Sequence, residues 1–274
     1  MRSISLKDIV SGKVDDDAIL LGLESSHGLP KAIRAKVTAA YAEYRKKRGS
    51  NLTSALNLLD PWPKRFSGLY EGRAKVHGLD WIEQIATTPR YGYCPMCGAE
   101  THKTVEHMLP RKPWSEFSIL SHNLVPSCAT CNNKRGNRAN APGTSPRLLH
   151  PYFDGALLRK RLHVTRIKGP YDAPEFEPGV CTALTPKLTA RVRHHLEHSV
   201  DATVYHQFCN NRWSELKQQV RSLNTKPALN KHLRNLVGDS ISSGGPNSWK
   251  TAFYAGVLSS PAIANWLFLN RKSF

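Results

Sequence analysis

Residues 94–131 contain the side chains whose types and spacing are best suited to chemistry. Two Cys-x-x-Cys pairs lie at the ends of this segment: Cys94, Cys97, Cys128 and Cys131. Four thiolates arranged in this way are a common ligand set for tetrahedral zinc. Between the pairs lies Glu106-His107, a carboxylate beside an imidazole that can exchange a proton near neutral pH. A structural metal site and a second reactive group therefore share one short segment.

The alternatives to a metal site are redox thiols and coincidental spacing. In a reducing compartment, Cys-x-x-Cys pairs are metal sites or redox motifs more often than stable disulfides. The occurrence of two pairs close together favours the metal. Cys181 and Cys209 stand apart from the pairs, and we expect them to be small buried hydrophobic side chains.

The segment between Cys97 and Cys128 is longer than a minimal zinc ribbon needs, and its pattern predicts two strands. Residues 104–107 include β-branched side chains, prolines follow at 110 and 113, and residues 123–126 can form the returning strand. The second cysteine pair then leads into 132–138, where we expect a helix that carries basic residues. The predicted order is strand, loop, strand and helix, held together by zinc.

The combined pattern resembles a known family. Cys-x-x-Cys, then Val-Glu-His-x-x-Pro, then Asn-Leu-Val-Pro-x-Cys-x-x-Cys-Asn-x-Lys is similar to the HNH endonucleases, the ββα-metal nucleases with a four-cysteine structural zinc. The resemblance covers residues 91–138. It implies hydrolysis of phosphodiester bonds with one catalytic divalent cation, Mg²⁺ or Mn²⁺, leaving a 5′-phosphate and a 3′-hydroxyl.

The resemblance also implies roles for individual residues. His107 takes the position of the general base that activates water, and Glu106 and Asn132 take the positions of the catalytic cation's ligands. Asn123 takes the position of the residue that holds the loop after the histidine. Three basic residues are expected near the phosphate backbone: Lys134, Arg135 and Arg138.

Two positions depart from the commonest family pattern. Many members have Asp where this chain has Glu106, and the extra methylene moves the carboxylate by about 1.5 Å if the side chain is extended. Asn132 replaces the last histidine of the family name, as in an HNN subset, and an amide oxygen is a suitable ligand for a hard cation. The Glu at position 106 is therefore expected to change the metal geometry more than the Asn at position 132.

The charge distribution points to a polyanionic partner. The chain has 274 residues and a formal net charge of +18. Residues 90–150 carry 8 basic and 3 acidic side chains, a higher density of positive charge than either flank. Such an excess attracts nucleic acid and accelerates its association. We expect DNA to be the substrate. The alternative is that the basic charge only keeps the protein soluble.

The flanking segments have mainly helical patterns. We expect helices at 30–48 and 79–86 on one side, and at about 186–198, 204–223, 227–241, 247–257 and 261–269 on the other. Alternation at 162–167, a Gly-Pro turn and residues 175–177 predict a short hairpin. The predicted fold class is α+β, with helical 1–88, an HNH core at 89–150 and a mainly helical 151–274.

A second, less specific resemblance involves residues 148–154, Leu-Leu-His-Pro-Tyr-Phe-Asp. Together with the helical C-terminal segment, it is similar to HNH effectors of bacterial anti-phage systems of the Septu and retron-associated type. This resemblance implies an ATPase partner and a role in antiviral defence. The alternatives are a stand-alone restriction-type endonuclease and a zinc-dependent nucleic-acid-binding module without catalysis.

Other candidates have simpler explanations. His194 and His198 could bind a metal from one helix face, but a solvated face is the expected role. His102 and His122 fit no motif position, and we interpret them as structural or substrate-side residues. Three tryptophans could stack on bases, although packing is favoured for the first two: Trp62, Trp81 and Trp114.

The sequence has no apolar run of eighteen residues, and its first residues lack the apolar core of a signal peptide. We therefore expect a soluble, cytoplasmic protein that does not contact membranes.

Overall fold

The computed structural model describes residues 1–87, 92–101, 104–136 and 146–274. Within these ranges the chain is mainly helical and has two separate two-stranded antiparallel sheets. The α+β fold class is confirmed, with a small ββα unit between helical segments.

The N-terminal segment contains four helices: α1 Asp16–His27, α2 Lys31–Lys46, α3 Trp62–Glu71 and α4 Trp81–Thr87. Helix α2 follows Pro30 and buries Val37, Tyr41 and Tyr44 on one face. This is the apolar stripe that the sequence predicts, and α2 ends two residues before the expected boundary. Helix α1 packs against α2, where buried Asp16 pairs with Arg45.

The central ββα unit consists of β1 Thr104–His107, β2 Leu124–Ser127 and α5 Ala129–Arg135. The strands pair antiparallel, with Glu106 opposite Val125 and His107 opposite Leu124. Helix α5 begins within the second cysteine pair, because the sulfur of Cys128 accepts a hydrogen bond from the backbone N–H of Cys131. The predicted start at 132 was therefore too late.

The C-terminal segment contains a hairpin and six helices: α6 Gly155–Leu158, β3 His163–Lys168, β4 Glu175–Val180, α7 Pro186–Ser199, α8 Ala202–Val220, α9 Lys226–Gly244, α10 Trp249–Leu258 and α11 Pro261–Asn270. Helices α7 to α11 each begin after a Ser, Thr or Asp whose side-chain oxygen accepts a backbone N–H three residues on: Thr185, Asp201, Thr225, Ser248 and Ser260. Such caps stabilise a helix by about 1 kcal/mol each.

Helix α10 lies directly on the hairpin. A Cβ at Gly256 would stand 2.3 Å from the carbonyl oxygen of Thr165, so only glycine permits this approach. The close packing of α10 against β3 holds the hairpin within the helical layer.

The β1–β2 sheet lies between two hydrophobic cores. One core includes the four cysteines, Val125 and the C-terminal helices. The other includes Val105, Leu124 and the N-terminal helices. Together, the two strands therefore contribute side chains to both cores. The division of the chain into three segments, with boundaries at 88/89 and 150/151, stays a prediction.

Among the described residues, no single helix is long and apolar enough to cross a membrane. Helices α10 and α11 reach that threshold only as a pair, and the pair is bent by 84°.

Candidate functional site

The four sulfurs of the cysteine pairs lie within 4.8 Å of one another. The sulfur of Cys97 is 3.7 Å from that of Cys128, and the sulfur of Cys94 is 4.0 Å from that of Cys131. Zn–S bonds of about 2.3 Å place the corners of a tetrahedron about 3.8 Å apart. The cluster therefore has the dimensions of a tetrahedral zinc site, and all four thiol groups are buried.

The C-terminal helices hold the first cysteine pair in place. The indole nitrogen of Trp249 donates to the carbonyl of Cys97 at 2.9 Å, and His195 Nε2 lies 2.7 Å from the carbonyl of Met96. Gly98 has a φ of +89°, and a Cβ there would stand 2.3 Å from the carbonyl oxygen of Asn247. The metal site is thus built into the core that α7 and α10 complete.

His107 ends β1 and is half-buried. Its Nε2 lies 3.0 Å from the carbonyl oxygen of Ser118. Because a carbonyl only accepts hydrogen bonds, Nε2 must carry the proton, and Nδ1 keeps its lone pair. Burial, together with the nearby guanidinium groups of Arg111 and Arg73, lowers the pKa of His107 to about 4, although the hydrogen bond to Ser118 opposes this decrease. The imidazole is therefore neutral near pH 7 and can accept a proton at Nδ1.

Glu106 precedes His107, and its side chain leaves the strand on the opposite face. It is 6% exposed, and its Oε1 lies 3.7 Å from Nη1 of Arg135. Burial raises the pKa of Glu106 to about 7, and the charge of Arg135 opposes this rise. A desolvated carboxylate of this kind needs positive charge nearby to remain ionised.

Arg135 is buried, and its predicted role near the phosphate backbone stays a prediction. Its side chain is 2% exposed. Because α5 already includes Cys131, Arg135, four residues later, lies on the same buried face of the helix. It therefore lies inside, beside Glu106, and not on the surface.

Asn123 is fully buried at the end of the loop that follows β1. Its Oδ1 accepts hydrogen bonds from the backbone N–H of Leu109 at 2.7 Å and from the hydroxyl of Tyr44 at 3.2 Å. Its Nδ2 donates to the carbonyls of Leu109 at 3.1 Å and Phe117 at 3.0 Å. One side chain thus ties together both ends of the loop that carries Ser118, the hydrogen-bond partner of His107.

Asn132 and Lys134 lie on α5. The amide nitrogen of Asn132 is 3.4 Å from the carbonyl oxygen of Val105, so α5 crosses β1 next to Glu106. Lys134 is exposed, as a phosphate-contacting lysine should be. Arg138 lies outside the described residues, as does His102.

A family model for HNH endonuclease matches residues 94–138. The chain contains an HNH endonuclease domain. Among curated proteins, protein Ea31 of Escherichia phage lambda is 40% identical over 63 residues, which is 22% of this chain. The matched segment is 21% of Ea31, so this chain spans about a fifth of the length of that relative. No solved structure matches the chain.

Three side chains that the sequence did not indicate lie near His107. The ring of Tyr70, on α3, stands edge-on to His107 with the centroids 4.5 Å apart. The guanidinium groups of Arg73 and Arg111 lie 4.6 and 5.4 Å from the Tyr70 ring centroid. The position of Arg111, soon after His107, could have suggested its proximity, but no local pattern marks Tyr70 or Arg73.

The segment 148–154 contacts the residues that hold the histidine loop of the HNH domain. Nε2 of His150 lies 3.0 Å from the Tyr44 hydroxyl, which in turn contacts Asn123. Asp154 holds the segment through the backbone N–H of His150 and an ion pair with Arg191. This motif is therefore part of the buried frame behind the histidine loop.

The weaker candidates have structural roles. Trp114 is 1% exposed, and its indole donates to the carbonyl of Thr53, so it is not available to stack on bases. His122 stacks on Phe153. His198 Nδ1 lies 2.8 Å from the carbonyl of His194, and the metal-type cluster found among the described residues consists of the four cysteines. Cys209 is fully buried, whereas Cys181 is half-buried.

Proposed function

We propose that this protein is a metal-dependent endonuclease that hydrolyses phosphodiester bonds in DNA. The HNH domain supports nuclease activity of this type. The observation that carries the proposal is the geometry of His107, whose Nε2 lies 3.0 Å from the carbonyl oxygen of Ser118, so that Nδ1 is the nitrogen that can accept a proton. A base with a free lone pair at Nδ1 is what activation of water requires.

In the proposed reaction, Nδ1 of His107 takes a proton from a water molecule. The water oxygen attacks the phosphorus in line with the departing 3′ oxygen, and the electron pair of the breaking P–O3′ bond goes to O3′. The departing O3′ takes a proton from solvent water, which leaves a 5′-phosphate and a 3′-hydroxyl, and His107 returns its proton to solvent. Ser118 keeps the imidazole in one tautomer and orientation. Arg111 and Arg73 lie on the same side as His107, where each forms an ion pair, with Glu71 and Glu83 respectively, and their guanidinium groups could also donate hydrogen bonds to a phosphate.

Glu106 and Asn132 would hold the catalytic cation. The buried carboxylate of Glu106 and the amide oxygen of Asn132 are hard donors of the kind that Mg²⁺ and Mn²⁺ prefer. When bound, the cation would neutralise charge on the phosphate and stabilise the leaving oxygen. The structural zinc at the cysteines has no part in the reaction.

A second candidate is a zinc-dependent nucleic-acid-binding module without catalysis. The observation that favours it is the pairing of Glu106 with Arg135, because the carboxylate already has a buried cationic partner. In that case Glu106 would be a structural residue of the ββα unit, and nucleic acid would be bound but not cut.

The defence role is proposed with less specific support. The motif at 148–154 resembles that of anti-phage effectors, and the structure uses this motif to support the histidine loop. An ATPase partner would restrain a basic nuclease that has little sequence selectivity. Co-purification with an ATPase supports this role, whereas unaided cleavage at one defined site supports a restriction-type enzyme.

The test of the function is a cleavage assay on supercoiled plasmid, linear duplex, single-stranded DNA and RNA, with Mg²⁺ or Mn²⁺. We expect metal-dependent cleavage of DNA by the wild type and by Asn133→Ala, and its loss in Asn132→Ala. Asn133 is exposed beside Asn132 and provides a matched control. Binding without cleavage by all three proteins would support the second candidate instead.

A further inference from the structure

We propose that α3 and the loop after β1 form a basic groove that binds the sugar-phosphate backbone of the substrate strand next to the cleaved bond. This inference rests on the proposed nuclease function and adds to it the path of the substrate. Helix α3 lies outside residues 94–138, the part of the chain that the family model matches.

The groove has a volume of about 680 Å³ and two walls. Asn57, Leu58 and the exposed side of α3 form one wall, and residues 111–115 form the other. Its charged lining residues are Lys64, Glu71, Arg111 and Lys112. Arg111 and Glu71 form an ion pair at 2.7 Å, which leaves the two lysines as the excess positive charge.

The walls are held by buried groups behind them. On the loop side, the indole of Trp114 donates to the carbonyl of Thr53 at 2.8 Å. Glu116, also buried, accepts the backbone N–H of Leu56 at 2.7 Å. On the helix side, Phe66 is buried in the N-terminal core. The groove is therefore preformed, and binding a strand in it requires little ordering of the protein.

Arg111 and Tyr70 connect one end of the groove to His107. Arg111 lines the groove and also lies over the ring of Tyr70, and Tyr70 contacts the imidazole edge-on. A strand that passes Lys64 and Lys112 toward Arg111 would therefore approach the base that activates water. This continuity favours a nucleic-acid strand over an acidic peptide, for which contact with His107 would serve no purpose.

The test compares two double variants that remove the same charge. Lys64→Ala/Lys112→Ala removes the two groove lysines, and Lys187→Ala/Lys231→Ala removes two exposed lysines on α7 and α9. Binding of a duplex DNA oligonucleotide is measured by fluorescence anisotropy over a range of salt concentrations, with His107→Ala added to prevent cleavage. Steady-state cleavage by the same double variants with His107 intact gives KM and kcat.

Each phosphate contact adds about 0.9 to the slope of log K against log salt, which amounts to roughly 8-fold in affinity between 1 M and 0.1 M salt. Loss of both groove lysines is expected to lower the slope by about 1.8 and to weaken binding at 0.1 M salt by at least about tenfold. The loss in cleavage is expected in KM and not in kcat. The control pair is expected to behave like the wild type.

Three results would contradict the proposed role of the groove in binding the substrate. The first is a groove variant with the wild-type KM and salt slope, which leaves the nuclease proposal standing. The second is an equal loss in both double variants, because net charge alone would explain it. The third is binding of polyglutamate as tight as that of DNA with the same dependence on the two lysines. Groove-dependent binding by a wild type that never cleaves would support the groove and contradict only the nuclease proposal.

Discussion

Replacing Asn123 with alanine tests how the histidine loop is held. The side chain is fully buried and satisfies three backbone groups: the N–H and carbonyl of Leu109 and the carbonyl of Phe117. A buried polar group left without a partner costs about 1–3 kcal/mol. Three such groups give a loss of at least about 3 kcal/mol in the free energy of unfolding, a large part of the 5–15 kcal/mol typical of a domain.

The assay combines urea unfolding, zinc content and cleavage rate. Asn123→Ala is expected to unfold at a lower urea concentration, to keep its zinc and to lose most of its cleavage activity, because the partner of His107 at Ser118 is no longer fixed. Asn123→Asp keeps the acceptor for Leu109 but turns oxygen toward two carbonyls, so it should not restore activity. A variant that keeps both wild-type stability and wild-type cleavage would refute the reasoning, and Asn133→Ala serves as the surface control.

Three other predictions concern the frame and its response to pH. Tyr44→Phe removes the hydroxyl between His150 and Asn123, and it should lower the free energy of unfolding by about 1–3 kcal/mol and slow cleavage without loss of zinc; an unchanged urea midpoint would contradict this. The wild type should contain about one zinc per chain, and Cys128→Ser/Cys131→Ser should lose it together with cooperative unfolding, as elemental analysis and thermal melts will show. Burial lowers the pKa of five histidines below 6.5 and raises that of two carboxyl groups: His107, His122, His150, His163, His195, Glu106 and Glu116. As the pH falls below 6.5, these histidines become protonated in the unfolded chain but stay neutral in the folded chain, which lowers the free energy of unfolding. The two carboxyl groups become protonated at a higher pH in the folded chain than in the unfolded chain, which has the opposite effect. Because the histidines outnumber the carboxyl groups, we expect the free energy of unfolding to fall as the pH is lowered below 6, and a melting temperature that is constant or rises on acidification would contradict this.

The ββα unit could be predicted because its signals are local. The cysteine spacing, the β-branched run before His107 and the prolines after it all act within a few residues of one another. The C-terminal helices were predicted for the same reason, since each begins at a capping side chain visible in the sequence. Boundaries still moved by a few residues where a cap or a cysteine turn decided them.

The surroundings of the site could not be predicted because they depend on distant parts of the chain. Tyr44 meets Asn123 across 79 residues, and Tyr70 reaches His107 from a helix before the first cysteine. The buried position of Arg135 could not be predicted for a different reason. A basic residue after a zinc knuckle suggests a surface contact, but its helix phase relative to Cys131 turns it inward.

The most direct test of the nuclease function is single-turnover cleavage of duplex DNA by the wild type and by His107→Ala, with DNA binding and zinc content measured on the same samples. The account predicts that His107→Ala binds DNA and zinc like the wild type but cleaves at least about a hundredfold more slowly, the lower range for loss of a general base. Equal cleavage rates for the two proteins, or no cleavage by the wild type in the presence of Mg²⁺ or Mn²⁺, would contradict it.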